Sequence, residues 1–255
     1  MSNILAEDVQ SLQTPSNFQF SGVDINDLGA SEYTLATIVL DVSSSVSAYK
    51  NELTNCIKTI VESCKKSPRS ENLLVRLVTF NQHVNERHGF KLLETINLND
   101  YDTSVNPRGA TALYDAIQSS VEATQEYGKL LSDQDYFANG VVYVITDGED
   151  NRSRCTPSTI HTFLEQCKRD EEGLESLCVI LIGIGYSNDV LKGYLDALKD
   201  TASLDQFVDM TEMFSNSHPE NALAKLAGYI SRSISTTSMA LQNGSSSPAS
   251  SMLIF

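Results

Sequence analysis

The chain has 255 residues, 41% hydrophobic and 20% charged, a balance that excludes a largely disordered chain, a collagen or a coiled coil. Eighteen Lys and Arg stand against thirty-three Asp and Glu, a net charge of −15. Such a surface repels phosphate backbones and anionic lipid headgroups, so neither nucleic acid nor a membrane is the expected partner.

In chain order, residues 1–31 are polar, with Pro15, Gly22 and Gly29 and no sustained periodicity, and read as an arm. The opening MSNILAEDVQ has no basic segment followed by an apolar stretch, and no run of about 18 apolar residues exists, so a cytoplasmic chain is expected. The run TLATIVLD ends in Asp41; apolar on both faces, it reads as a buried, parallel-type strand. Leu53, Cys56, Ile57, Ile60, Val61 and Cys64 recur at helical spacing and predict a helix over about 46–66. LLVRLVTF (73–80) is a second strand, and HVNERHGFKLLETI (83–96) reads as a hairpin-like edge segment around Gly89. After a polar loop to Arg108, Leu113, Ala116, Ile117, Val121 and Thr124 mark a helix beginning near Thr111.

VVYVITD (141–147) is another apolar strand ending in a carboxylate, Asp147, and Ile160, Phe163, Leu164 and Cys167 lie on the next helix. CVILIGIG (178–185) is a buried strand, followed by a helical stripe at Val190, Leu191, Tyr194, Leu195 and Leu198. QFVDM (206–210) is a short strand, and Leu223, Leu226, Ala227, Ile230 and Ile234 give a final helix. Strands alternating with amphipathic helices mean βαβ units, hence an α/β, Rossmann-like open and mostly parallel sheet with helices on both faces. The expected division is an arm over 1–31, one domain over 32–235 and a Ser-rich tail over 236–255. No residue from Ser233 onward is charged, and the chain ends Met252-Leu253-Ile254-Phe255, so both tails are expected to be flexible. The five cysteines, at 56, 64, 155, 167 and 178, form no CxxC pair and read as thiols packed as small hydrophobes.

In an open α/β sheet, ligands bind outside the carboxyl ends of the strands where strand order reverses. If the strands ending in Asp41 and Asp147 are neighbours, their carboxylates converge and repel unless a cation intervenes. Asp41, Ser43 and Ser45 can point to one side of their loop, and Thr111 offers another hydroxyl where a glycine-containing loop enters a helix. Oxygen donors without His or Cys suit a hard cation, magnesium before calcium or manganese. His83, His88, His161 and His218 have no companion at metal-ligand spacing.

The set D-V-S-S-S at 41–45, G-A-T-A-L at 109–113 and T-D-G-E-D at 146–150 resembles the von Willebrand factor type A domain and its metal-ion-dependent adhesion site. The resemblance spans about 35–235, with Ser44 where many members have Gly and Val46 where Met is common. It implies a non-enzymatic protein-binding module. Ser43 and Ser45 would ligate the metal directly, Asp41 and Asp147 through water, and Thr111 in the ligand-engaged form. Neutral ligands leave the dication under-neutralised, ready for a carboxylate from another protein. The implied partner presents Asp or Glu, an AAA+ ATPase or an assembly partner among the options.

Other readings are weaker. Asp115, Glu149 and Asp150 read as solvated or capping residues, and Gly183-x-Gly185 lacks the third glycine of a dinucleotide loop, with Asn188 in its place. A scaffold subunit joined to its neighbours through its tails, or an α/β phosphoryl-transfer or nucleotide-binding enzyme, are the alternatives. There is no Walker A sequence and no G-x-S-x-G elbow.

Overall fold

The computed structural model describes residues 9–169, 173–185, 189–212 and 218–242. Their strands are β1 (Val9–Gln13), β2 (Gln19–Val23), β3 (Glu32–Asp41), β4 (Leu73–Phe80), β5 (Val84–Leu92), β6 (Phe137–Thr146), β7 (Ser176–Gly183) and β8 (Gln206–Asp209). The helices are α1 (Lys50–Lys65), α2 (Leu113–Ser132), α3 (Pro157–Arg169), α4 (Asp189–Ala202) and α5 (Pro219–Gln242). One sheet holds all eight strands in the order β1-β2-β5-β4-β3-β6-β7-β8.

The centre of the sheet is parallel because helices return the chain to the same end. β3 pairs with β4 on one side and β6 on the other, and β7 and β8 continue the parallel run. Alternate side chains feed opposite cores. Ile38, Leu40, Leu77, Tyr143 and Ile180 pack against α1 and α5, while Val39, Val78, Val142, Val144 and Leu181 pack against α2, α3 and α4. A sheet covered on both faces is why these strands read as continuous apolar runs. The chain leaves β3 toward β4 on one side and reaches β6 on the other, so the carboxyl end of β3 is a topological switch point.

Two expectations are corrected together. From Val9 onward the expected arm is part of the sheet: β1 and β2 form an antiparallel hairpin, and β2 runs parallel to β5 with Gly22 opposite Phe90. Thr14-Pro15-Ser16-Asn17 makes the hairpin loop: Asn17 N–H donates to the Thr14 carbonyl at 2.9 Å, and Asn17 takes φ 65°. That is a type I turn followed by a left-handed residue, a common three-residue hairpin connection. The segment around Gly89 is not a hairpin but one strand, β5, antiparallel to β4, and it is not an edge. A Cβ at Gly89 would stand 1.9 Å from the Ser21 carbonyl oxygen, so this glycine marks the close approach of β2 rather than a turn.

The docked hairpin is held by polar as well as apolar contacts. Phe20, Val23, Leu74, Phe90, Tyr127 and Leu131 share a third core beneath it. Buried Arg76 pairs with Glu86 at 2.7 Å, Ser21 donates to the same carboxylate at 2.6 Å, and the Tyr127 hydroxyl donates to the Val23 carbonyl at 2.8 Å. At the other end of the chain, the tail expected from 236 starts inside α5, which runs to Gln242. Met252–Phe255, residues 1–8 and Asn188 lie outside the described residues. No disulfide joins the five cysteines, and burial pushes the Cys56 and Cys64 thiols up to about 12, so both stay protonated. No helix among the described residues is long and apolar enough to cross a membrane.

Candidate metal-binding edge

Asp41 is the last residue of β3 and Asp147 follows the last residue of β6, and pairing Leu40 with Ile145 sets the two strand ends side by side. Asp41 is fully buried. Its Oδ1 accepts the Ser43 N–H at 2.7 Å, and its Oδ2 accepts the Thr146 hydroxyl at 2.6 Å. The Thr146 oxygen in turn accepts the Gly148 N–H at 3.2 Å, turning the chain sharply past Asp147.

After Asp41 the backbone enters a 3₁₀ turn over Ser44–Tyr49 that leads into α1. This turn exposes Ser45 and brings its hydroxyl to Asp147. Ser45 Oγ donates to Asp147 Oδ1 at 2.6 Å, and the Ser43 and Ser45 hydroxyls are 2.9 Å apart. Since the Ser45 proton is committed to the carboxylate, Ser43 is the donor in the second bond, giving a relay from Ser43 to Ser45 to Asp147. The Tyr49 hydroxyl reaches Asp147 Oδ2 at 3.4 Å. Asp41, Ser43, Ser45 and Asp147 therefore meet at one place.

Thr111 arrives at the same edge through its backbone. Ser44 N–H donates to the Gly109 carbonyl at 3.1 Å, and Ala112 N–H to the Asn81 carbonyl at 2.7 Å, which fixes the loop on either side of Thr111. Thr111 and Asn151 exchange two bonds: Thr111 N–H to Asn151 Oδ1, and Asn151 N–H to the Thr111 carbonyl, each 2.9 Å. The Thr111 hydroxyl sits 3.8 Å from where a Cβ on Gly148 would be, beside Asp147. It is the one candidate without a hydrogen bond to the other four among the described residues.

The neighbouring carboxylates have structural duties, as their sequence context suggested. The N-cap of α2, Ala112, has no side chain to satisfy the first N–H groups, so the loop after β6 supplies acceptors. Asp150 accepts the Tyr114 N–H at 3.4 Å and Ser153 Oγ the Asp115 N–H at 3.0 Å. Asp115 accepts the Arg154 and Cys155 N–H groups at 3.0 Å each. Gly185 takes φ +99°, and a Cβ there would lie 3.3 Å from Asp147 Cβ and 3.4 Å from the Tyr49 hydroxyl, so this glycine lets the backbone pack closely against the edge. Tyr49, Thr146 and Asn151 were not singled out from sequence. Only Thr146, adjacent to Asp147, carried a signal, while Tyr49 and Asn151 act through contacts between distant segments.

Burial makes this edge electrically unfinished. It raises the Asp41 carboxyl to about 6, against the hydrogen bonds from Thr146 and Ser43 that favour the charged form, and the Asp147 charge adds to the rise. Asp147 is raised as well, by burial first, with Ser45 and Tyr49 opposing. Among the described residues no Lys, Arg or His forms an ion pair with either aspartate. No group of three His, Cys, Asp or Glu side chains among them could hold a metal, so a cation here would rest on two carboxylates plus hydroxyls. That donor set, oxygen only and partly neutral, fits a hard divalent ion.

A doubly covered, mostly parallel sheet with such an edge at its switch point defines a class of α/β domains. The chain belongs to the von Willebrand factor type A family: the family profile, described as von Willebrand factor type A domain, matches residues 37–222. No curated protein matches the sequence. Among solved structures, the chain is similar to a D319A mutant of the PilB minor pilin from Streptococcus sanguinis. The TM-score is 0.59 at 15% identity, covering 89% of this chain and 66% of the pilin. It is also similar to proximal thread matrix protein 1 from the mussel byssus, with TM-score 0.53, 20% identity, and coverage of 80% and 47%. A further structure of that byssus protein has a zinc-occupied adhesion motif, with TM-score 0.48, 20% identity, and coverage of 78% and 47%. The chain thus spans about half to two thirds of the length of these structures, and the likeness is one of fold.

Proposed function

We propose that this domain is a non-enzymatic binding module that holds a divalent cation, magnesium first, on Asp41, Ser43, Ser45, Thr111 and Asp147, and through it binds a carboxylate of a protein partner. The observation that carries the reading is the meeting of two desolvated aspartates with the Ser43–Ser45 hydroxyl relay, neither aspartate in an ion pair with a cationic side chain among the described residues. Like charges brought together under burial favour whichever cation reaches them. The donors that face Asp147 are hydroxyls, so a bound dication keeps most of its charge and attracts an outside carboxylate. Exposed Ser45 sets this chemistry at the surface, where a protein can reach it. A cavity of about 730 Å³ lies at the opposite end of the sheet instead, beside Asp27, Tyr33, Lys65 and Glu71.

The test is partner capture from the native cell extract by immobilised wild type and by Asp147→Ala, each in magnesium and in EDTA. Capture by wild type in magnesium alone supports the reading. Equal capture by Asp147→Ala, or capture indifferent to EDTA, contradicts it.

A further inference from the structure

Against a charge of −15, β5 and the loop beside the proposed metal edge carry an arginine pair that forms no ion pair with a carboxylate among the described residues. Arg108 directly precedes Gly109, and its N–H donates to the Val42 carbonyl at 2.9 Å, between Asp41 and Ser43 in sequence. Its position is set by Gly109, which takes φ +78°, and by Gln82, whose Oε1 accepts the Ala110 N–H at 3.2 Å. Arg87 comes from β5, where its Nε donates to the Thr79 hydroxyl at 2.8 Å. Thr79 lies opposite Leu40, so this guanidinium is anchored one residue short of the Asp41 level. Burial first, then the positive charge of Arg108, holds Arg87 below its usual value, so the two cations act on each other.

Both side chains are exposed, and neither forms an ion pair among the described residues. Glu86, next to Arg87 in the chain, is engaged with Arg76, and Asp100, which lines the same cavity as Arg87, forms no ion pair among the described residues. In a protein with nearly two acids per base, leaving two arginines together without a counter-charge costs electrostatic energy that an outside anion would recover.

From this placement we infer that Arg87 and Arg108 form a second contact for the partner, selecting an acidic protein segment in which one carboxylate meets the metal edge and a neighbouring one meets the arginines. The inference rests on the proposed metal-bridged binding and names the partner's chemistry: a run of Asp or Glu rather than an isolated acid. The guanidinium fork suits carboxylates, and the arginines offset locally the repulsion that the acidic surface imposes on such a partner.

The test uses two fluorescein-labelled peptides of equal length, octaglutamate and a Gly-Ser peptide with a single central Glu, titrated in magnesium with anisotropy as readout. Wild type should prefer octaglutamate by roughly fivefold to tenfold, the scale of two exposed charge contacts. The Arg87→Gln/Arg108→Gln protein should lose that preference while titrating magnesium like wild type. Arg108→Gln alone, whose side chain makes no hydrogen bond among the described residues, should lose part of it and guards against misfolding of the double variant. An unchanged preference in the double variant, or none in wild type that binds magnesium, overturns the inference. Wild type that takes no magnesium overturns the reading of the edge, and the inference with it; the magnesium titration alone identifies that case. A labelled oligothymidylate bound as tightly as octaglutamate, with the same arginine dependence, would replace the acidic segment by nucleic acid.

Discussion

At the scale of single residues, the edge and the half-buried His88 make opposite statements about pH. Asp41 in the fold titrates near 6 rather than 3.8, so the folded state holds its proton more tightly than the unfolded chain does. Stability from this group is full below about pH 4 and is lost as pH rises through 6. Metal-stripped protein therefore carries a burdened carboxylate at pH 7, and Asp41→Asn, which removes that charge, should raise its unfolding free energy there by about 1–3 kcal/mol, the gain being reduced because Asn keeps only one of two acceptor oxygens. Thermal unfolding in EDTA checks this; a variant less stable than wild type at pH 7 would mean that the carboxylate is not strained. His88 runs the other way. Its Nδ1 meets the Gly89 carbonyl at 2.9 Å, which can only accept, so Nδ1 bears the proton and Nε2 accepts from the Tyr101 hydroxyl at 2.8 Å. Burial pushes its value down to about 4, so stability from neutral His88 is present above 6.5 and is lost as pH falls toward 4. Urea unfolding at pH 7 and pH 5 should show His88→Gln losing about 1–2 kcal/mol less than wild type between the two. Equal losses would contradict a desolvated neutral imidazole.

At the scale of elements, what the sequence made legible depended on whether neighbours in the fold are near in the chain. β3, β4, β6 and β7 announced themselves because burial on both faces leaves unbroken apolar runs, and Asp41 and Asp147 stood out as the charges that end two of them. The β1–β2 hairpin gave no such signal. Its strands are short and partly polar, Ser21 and Gly22 break any alternation, and the strand that covers β2 is 65 residues further on, as the Ser21–Glu86 bond shows. The same long-range contact hid the reason for Gly89, which local sequence presents as a turn. Gly89→Ala would drive a methyl against the Ser21 carbonyl, and overpacking of this kind costs about 1–3 kcal/mol. Hydrogen exchange should localise the damage: amides of β1 and β2 lose protection while those pairing β3 with β6 keep it. Uniform loss across the sheet would show that the hairpin is not a separable unit. The metal edge was legible as residue types at strand ends, whereas its supports, Tyr49 and Asn151, were not, because each acts across about 40 to 100 residues of chain.

At the scale of the whole molecule, a bound cation would reconcile a charge of −15 with the acidic partner proposed for the edge. The net field discourages encounter with an acidic partner, and a dication held by two aspartates and hydroxyls would concentrate attraction at one point of the surface. In the fold, β3 ends where the buried Asp41 carboxylate and the half-buried Asp147 carboxylate lie side by side, neither in an ion pair among the described residues. Isothermal titration of magnesium into metal-stripped wild type and Asp147→Ala is the most direct measurement of this claim. Wild type should bind a single ion per chain, and Asp147→Ala should bind it about a hundredfold more weakly or not measurably. No binding by wild type, or equal binding by Asp147→Ala, would contradict it.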